Sequence, residues 1–323
     1  MATFLSSLGL VALLAQVPAS SPSGASATAD SLAALRTRVA QDSGNGAAWY
    51  DLGVALLRWD LEGHGRHAPG DTLAAQGILD SADLAFRHAA TLLAGTRRGD
   101  SARVLRAFSW GRAGLRAWEA DGIDAASERW STAPPEVRLP AVLEELGENL
   151  LRACPTGGVL LVRAGPDAQA ATYLRMARRL RSDLEVIPFE VWRSDSALQA
   201  RVASDLDKAG HGEDPATAIV RVAGQRPLCA DAGFEKPPEL PGEERHSRIS
   251  WKPHPLVWVS GAGDKAEQVS PQEFAFAALR MALDANDPWA GPAVQVYRHA
   301  ASLTSGLCTT LAGFGVKDAV GCR

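Results

Sequence analysis

The hydrophobic period of the chain changes once, at Pro155, and that change limits the folds open to it. Before it, from Asp30 to Ala153, apolar residues recur every three or four positions, the spacing of one helical face. After it come short unbroken apolar runs bounded by turn residues, the mark of buried strands, alternating with helical stretches. A chain of 323 residues has room for about two domains. The expectation is a helical domain over 30–153 and an α/β domain over 154–323 that ends in helices. A formal net charge of -4 excludes a strongly basic nucleic-acid binder.

The amino terminus reads differently. No charged side chain precedes Asp30, and an apolar run extends from Phe4 to Val17. Those fourteen residues are too few to span a bilayer core, which takes about 20. They suit the central part of a secretory signal peptide, although a basic segment before the run is missing. Val17-Pro18-Ala19 and Ala25-Ser26-Ala27 are candidate cleavage sites. Residues 1–27 are therefore expected to be a signal peptide, with the mature protein periplasmic or secreted and no membrane span remaining. The four cysteines, Cys154, Cys229, Cys308 and Cys322, allow two disulfides in an oxidising compartment or buried free thiols. Cys308 and Cys322 are the favoured pair, because Gly313 and Gly315 let the chain turn back between them.

In the first half, Trp49, Leu52, Gly53 and Leu56 place large residues around a glycine on one helix. Ala82, Phe86 and Ala89 answer them on a second. A further set, Trp110, Ala113, Gly114, Ala117, Ala126, Trp130 and Ala133, repeats that spacing in one register, with Asp121-Gly122 at the turn and Pro134-Pro135 as a stop. Small residues let the helices approach and the large ones fill the groove between them. Both sets resemble the tetratricopeptide repeat, the first with an insertion rich in Gly and His over 61–70. A helix over about 136–153 is expected to cap the array. The resemblance implies a concave face that binds a protein or peptide, and no catalysis. Trp59 and Trp118 have no packing role in the pattern and are the candidate groove residues.

The second half reads as βαβαβ. Strands are expected over 157–162, 184–191 and 218–222, a fourth over 256–259, and helices over 167–180 and 195–207. This gives a small, mostly parallel sheet of three or four strands with flanking helices. Ser270-Pro271-Gln272-Glu273 opens a helix to about Ala285, and a last helix runs from about Ala293 to Leu311. Residues 157–206 faintly resemble the soluble tail of bacterial membrane proteins related to protein O-mannosyltransferases. In the loop Gly165-Pro166-Asp167-Ala168-Gln169 they keep only the Gly and one Asp of that family's polar signature. That resemblance implies a fold, since the transferase chemistry belongs to a membrane part this chain lacks.

Gly165, Asp167, Arg193, Ser194 and Asp195 should lie at the strand ends, the usual ligand place of such a sheet. Asp167 and Ser194 or Asp195 fit helix capping as well. A single Gly beside Pro166 is a poor phosphate cradle, so no nucleotide or other cofactor is expected. His64 and His67 are spaced as possible metal ligands, but a solvated loop suits that Gly-rich stretch better, and no metal site is expected. The sequence reading is thus an exported interaction module with a protein or peptide partner. Its alternative is an exported hydrolase or glycan-processing enzyme that uses the strand-end crevice.

Overall fold

The computed structural model describes residues 29–61, 72–206, 214–243, 249–261 and 269–322. They fall into two compact units that part between Leu139 and Pro140. The class is mixed α and β, mostly helical with one five-stranded sheet.

Among its described residues the first unit has helices and no strand: α1 (Ala29–Gln41), α2 (Gly46–Leu61), α3 (Thr72–Leu92), α4 (Arg97–Asp121) and α5 (Ile123–Ser131). Each packs on its neighbour in sequence. The α2–α3 seam closes at Gly53, where a Cβ would stand 2.7 Å from the Phe86 ring. Leu56, Ala82, Phe86 and Ala89 are buried there. The aromatic of α2 that fills the core is Tyr50, set edge-on to Phe86, and not Trp49. One residue is 100° of helix, so the neighbouring Trp49 is turned to the half-exposed flank. In the α4–α5 pair, Trp110 lies 6.1 Å from Trp130, and Ala113, Gly114 and Ala126 are buried. Ala133 falls outside the expected helix, because α5 stops at Ser131 ahead of the two prolines.

Every residue of α4 from Val104 to Arg116 is buried. Three of them are arginines, and each is matched by an acid from another turn or helix. Arg106 and the Trp110 indole both donate to Asp83, at 2.7 Å. Arg112 and Arg116 both donate to Asp60 of α2, and Arg116 also grips both oxygens of Glu119. Burial works against a charge on Asp60, but the two guanidiniums outweigh it and hold the carboxyl below its ordinary range.

The second unit opens with α6 (Ala141–Ala153), the helix expected to cap the array. Gly147 instead seats it against α7 (Pro166–Ala177), where a Cβ would stand 2.8 Å from Leu174. Three polar residues on α6, at spacings of four and three, hold a distant stretch of backbone. Glu145 accepts from Ala278 and Leu279, Asn149 bonds both N–H and C=O of Ala275, and Arg152 reaches the Glu273 carbonyl.

The sheet order is β2-β1-β3-β5-β4. Its strands are β1 (Val159–Val162), β2 (Glu185–Pro188), β3 (Pro227–Asp231), β4 (Lys252–His254) and β5 (Val257–Gly261). β1 is parallel to both β2 and β3, with Leu160 opposite Val186 on one side and Cys229 on the other. β5 runs antiparallel to β3 and β4. The helices between strands are α7, α8 (Phe189–Ser194), α9 (Ser196–Leu206) and α10 (Ala218–Val222). The third strand is therefore Pro227–Asp231, and the expected strand over 218–222 is α10. A five-residue apolar run has no period long enough to separate the two, and Asp214-Pro215 starts a helical turn just before it.

The end holds α11 (Ala277–Asp284), α12 (Ala290–Leu303), α13 (Ser305–Gly313) and α14 (Lys317–Val320). The capping box at Ser270 and Glu273 forms, but it opens only a short 3-10 turn, Pro271–Glu273. The expected helix over 293–311 is broken at Thr304, whose backbone is extended. Cys308 is joined to Cys322 with Cα atoms 5.6 Å apart, and Cys154 is joined to Cys229 at 5.9 Å. Among the described residues no helix is long and apolar enough to cross a membrane.

Candidate functional site

The strand order sets where a ligand place could form. β1 leads to β2 on one side, and the chain then crosses to β3 on the other, so the crossover direction reverses between β1 and β3. The carboxyl ends of these two strands deliver Arg163 to Asp167 and Asp231 to Phe234. Gly165 has φ +98°, a conformation suited to glycine, and starts α7 with Pro166 in the first turn. Asp167 is turned inward and buried, with Oδ1 accepting from Ala168 N at 3.1 Å. Beside it lies Asp231, also buried. Its Oδ2 accepts from Arg163 N at 2.8 Å and its Oδ1 from Gly233 N at 2.7 Å. Burial raises both carboxyls above the ordinary range, and for Asp231 the facing Asp167 adds to it.

Asp231 is absent from the site expected from sequence, because the pattern places the third strand over 218–222 and none over 227–231. Its signal was there: Leu228-Cys229-Ala230 is a short apolar run that ends at Asp231-Ala232-Gly233, a turn sequence. The remaining candidates do not join this pair. Arg193 and Ser194 are exposed; Arg193 pairs with Glu190 at 3.4 Å, and Ser194 Oγ donates to the Glu190 carbonyl. Asp195 is buried and caps α9 through Ala197 N and Leu198 N. Aromatic residues follow two of these strands in sequence, Phe189 and Trp192 after β2 and Phe234 after β3. Phe189, Trp192 and Phe234 are buried, with Phe189 5.6 Å from Trp192 and 5.8 Å from Phe234.

In the helical unit, Trp118 is buried at 1% exposure, so it is core and no groove residue. Trp59 is half-buried. The continuous burial of α4 over 104–116 leaves that stretch no solvent-facing stripe. The apolar surface lies on α3. Leu84 and Leu92 are exposed, at 39% and 44%, and with His88 they stand one turn apart along one stripe. The Trp49 ring stacks on His88 at 4.4 Å, and its indole N–H donates to the Ser43 carbonyl. His64 and His67 lie outside the described residues. Among the described residues, no group of three or more His, Cys, Asp or Glu is placed to hold a metal ion.

No family model, curated protein or solved structure matches the chain.

Proposed function

We propose that the chain is an exported interaction module, and that its helical unit, built on tetratricopeptide-like pairs, receives a protein partner. The observation that carries this reading is the α3 stripe of Leu84, His88 and Leu92, with Trp49 stacked at its centre. Large apolar side chains left exposed along one helix stripe favour association over a purely solvated role. The stripe covers two helical turns, about 12 Å, the length over which a short amphipathic helix presents an apolar face. The two disulfides fit an oxidising compartment, which supports export. An exported hydrolase or glycan-processing enzyme at the strand ends has less in its favour, because the two carboxyls there, Asp167 and Asp231, are buried away from solvent.

The test uses the full chain and the double variant Leu84→Asp with Leu92→Asp, both as bait in an envelope extract. A protein held by the first and lost by the second, with circular dichroism unchanged, supports the reading. Equal capture by both, or none by either, counts against it.

A further inference from the structure

Asp167 and Asp231 are 2% and 0% exposed, and they approach from different strand ends. Gly233 shows how close they are. A Cβ there would collide with Asp167 Oδ2 and stand 2.7 Å from Asp231 Oδ1. Three of the four carboxyl oxygens accept a backbone N–H. The fourth, Asp167 Oδ2, is buried without a protein donor. A buried acceptor left bare is costly, and two adjacent buried carboxylates repel each other. Among the described residues, Arg163, exposed at the end of β1, is the cation that acts on both. On the neighbouring α8, Glu190 and Arg193 pair with each other. On the α7 flank, Glu144 and Arg178 act on Tyr173. One guanidinium in solvent does not balance two interior charges.

We propose that the two aspartates share one proton at neutral pH, carried on Asp167 Oδ2 and donated to Asp231, and that this proton is a latch. It ties the turn after β1 to the turn after β3. The assignment to Asp167 follows from the hydrogen bonds. Both oxygens of Asp231 already accept N–H groups, which favours its anion, whereas Asp167 Oδ2 accepts none and is the oxygen open to carry the proton. The pair loses its protons in two steps that belong to both residues. The second step leaves two buried charges side by side, and it should loosen the strand-end closure as pH rises.

Hydrogen exchange by mass spectrometry on the full chain, corrected for the intrinsic pH dependence of exchange, tests this. From about pH 6 to about pH 9, protection of the segments containing Arg163 and Gly233 should fall by about tenfold or more. Asp167→Asn keeps a donor that does not titrate, so its protection should stay level across that range. Asp231→Asn should loosen the site at every pH, because its NH2 group would face a backbone N–H. An infrared spectrum of the wild type supplies a measurement that needs no variant. It should show a protonated carboxylic acid at neutral pH that disappears on alkaline titration. Protection that does not change with pH, an Asp167→Asn variant that loosens like the wild type, or no protonated carboxyl at neutral pH would each overturn the latch.

Discussion

A single methyl group at Gly53 tests the α2–α3 seam. It would stand 2.7 Å from the Phe86 ring, and Phe86 is fully buried. Overpacking of this kind costs about 1–3 kcal/mol. Gly53→Ala should therefore lower the denaturation midpoint, although Ala is the better helix former by up to about 1 kcal/mol. A raised midpoint would mean that the seam is loose. Asp60 carries a larger load. Removing its charge with Asp60→Asn takes the anion from buried Arg112 and leaves Arg116 with Glu119 alone, and breaking a buried pair in this way costs about 3–5 kcal/mol. The same residue sets a pH dependence. Its carboxyl is held below the ordinary range, so the stability it contributes is present above that range. That stability is lost as pH falls through the folded-state value. Acid unfolding curves should show a drop in the wild type that the Asn variant lacks.

Helix α6 shows how one element fixes another far along the chain. The first N–H groups of a helix have no partner within it. Those of Ala278 and Leu279 in α11 are taken by the Glu145 carboxylate, and Asn149 fastens the residue two before the helix. Asn149→Leu would take the side-chain partner from the N–H and C=O of Ala275 and leave the buried hydroxyl of Tyr297 without its amide donor, a cost of about 1–3 kcal/mol for such a buried group. The expected readout is a lower midpoint together with faster exchange in 273–279. Normal exchange there would show that other contacts hold the segment.

This pairing was hidden in the sequence. The apolar face of α6 was legible, but its partner was not, because Glu145 and Ala278 are distant in the chain and polar spacing alone names no target. The change of period at Pro155 was legible for the opposite reason. Helical and strand spacings are local, and they persist over many residues. Where a run is short, locality fails. Ala218–Val222 and Pro227–Asp231 are both five-residue stretches; the first became helix and the second strand, so the buried Asp231 was missed. Trp49 failed on phase, since a one-residue shift exchanged core for flank with Tyr50. Asp167 was placed at the strand ends from the β1 turn, but only the fold could bring Asp231 beside it.

For the molecule as a whole, the two disulfides differ in what they join and in how they can be reached. Cys154–Cys229 spans 75 residues and ties the end of α6 to the central part of β3, with both cysteines almost fully buried. Cys308–Cys322 spans 14 residues near the chain end, and both cysteines are partly exposed. In the chain-entropy model the longer closure stabilises by about 4 kcal/mol and the shorter by about 3. Exchange with a thiol needs contact with sulfur, so under native conditions the order of reduction follows access rather than loop length. A mild thiol reductant, with alkylation and peptide mapping at intervals, should label Cys308 and Cys322 first. Cys154 and Cys229 should remain joined until the second unit opens. The order of stability loss is the reverse. Cys154→Ala with Cys229→Ala should lower the denaturation midpoint more than Cys308→Ala with Cys322→Ala. Early labelling of Cys154 or Cys229 in the folded protein would contradict the burial on which this order rests, because a thiol could then reach the sheet interior without unfolding it.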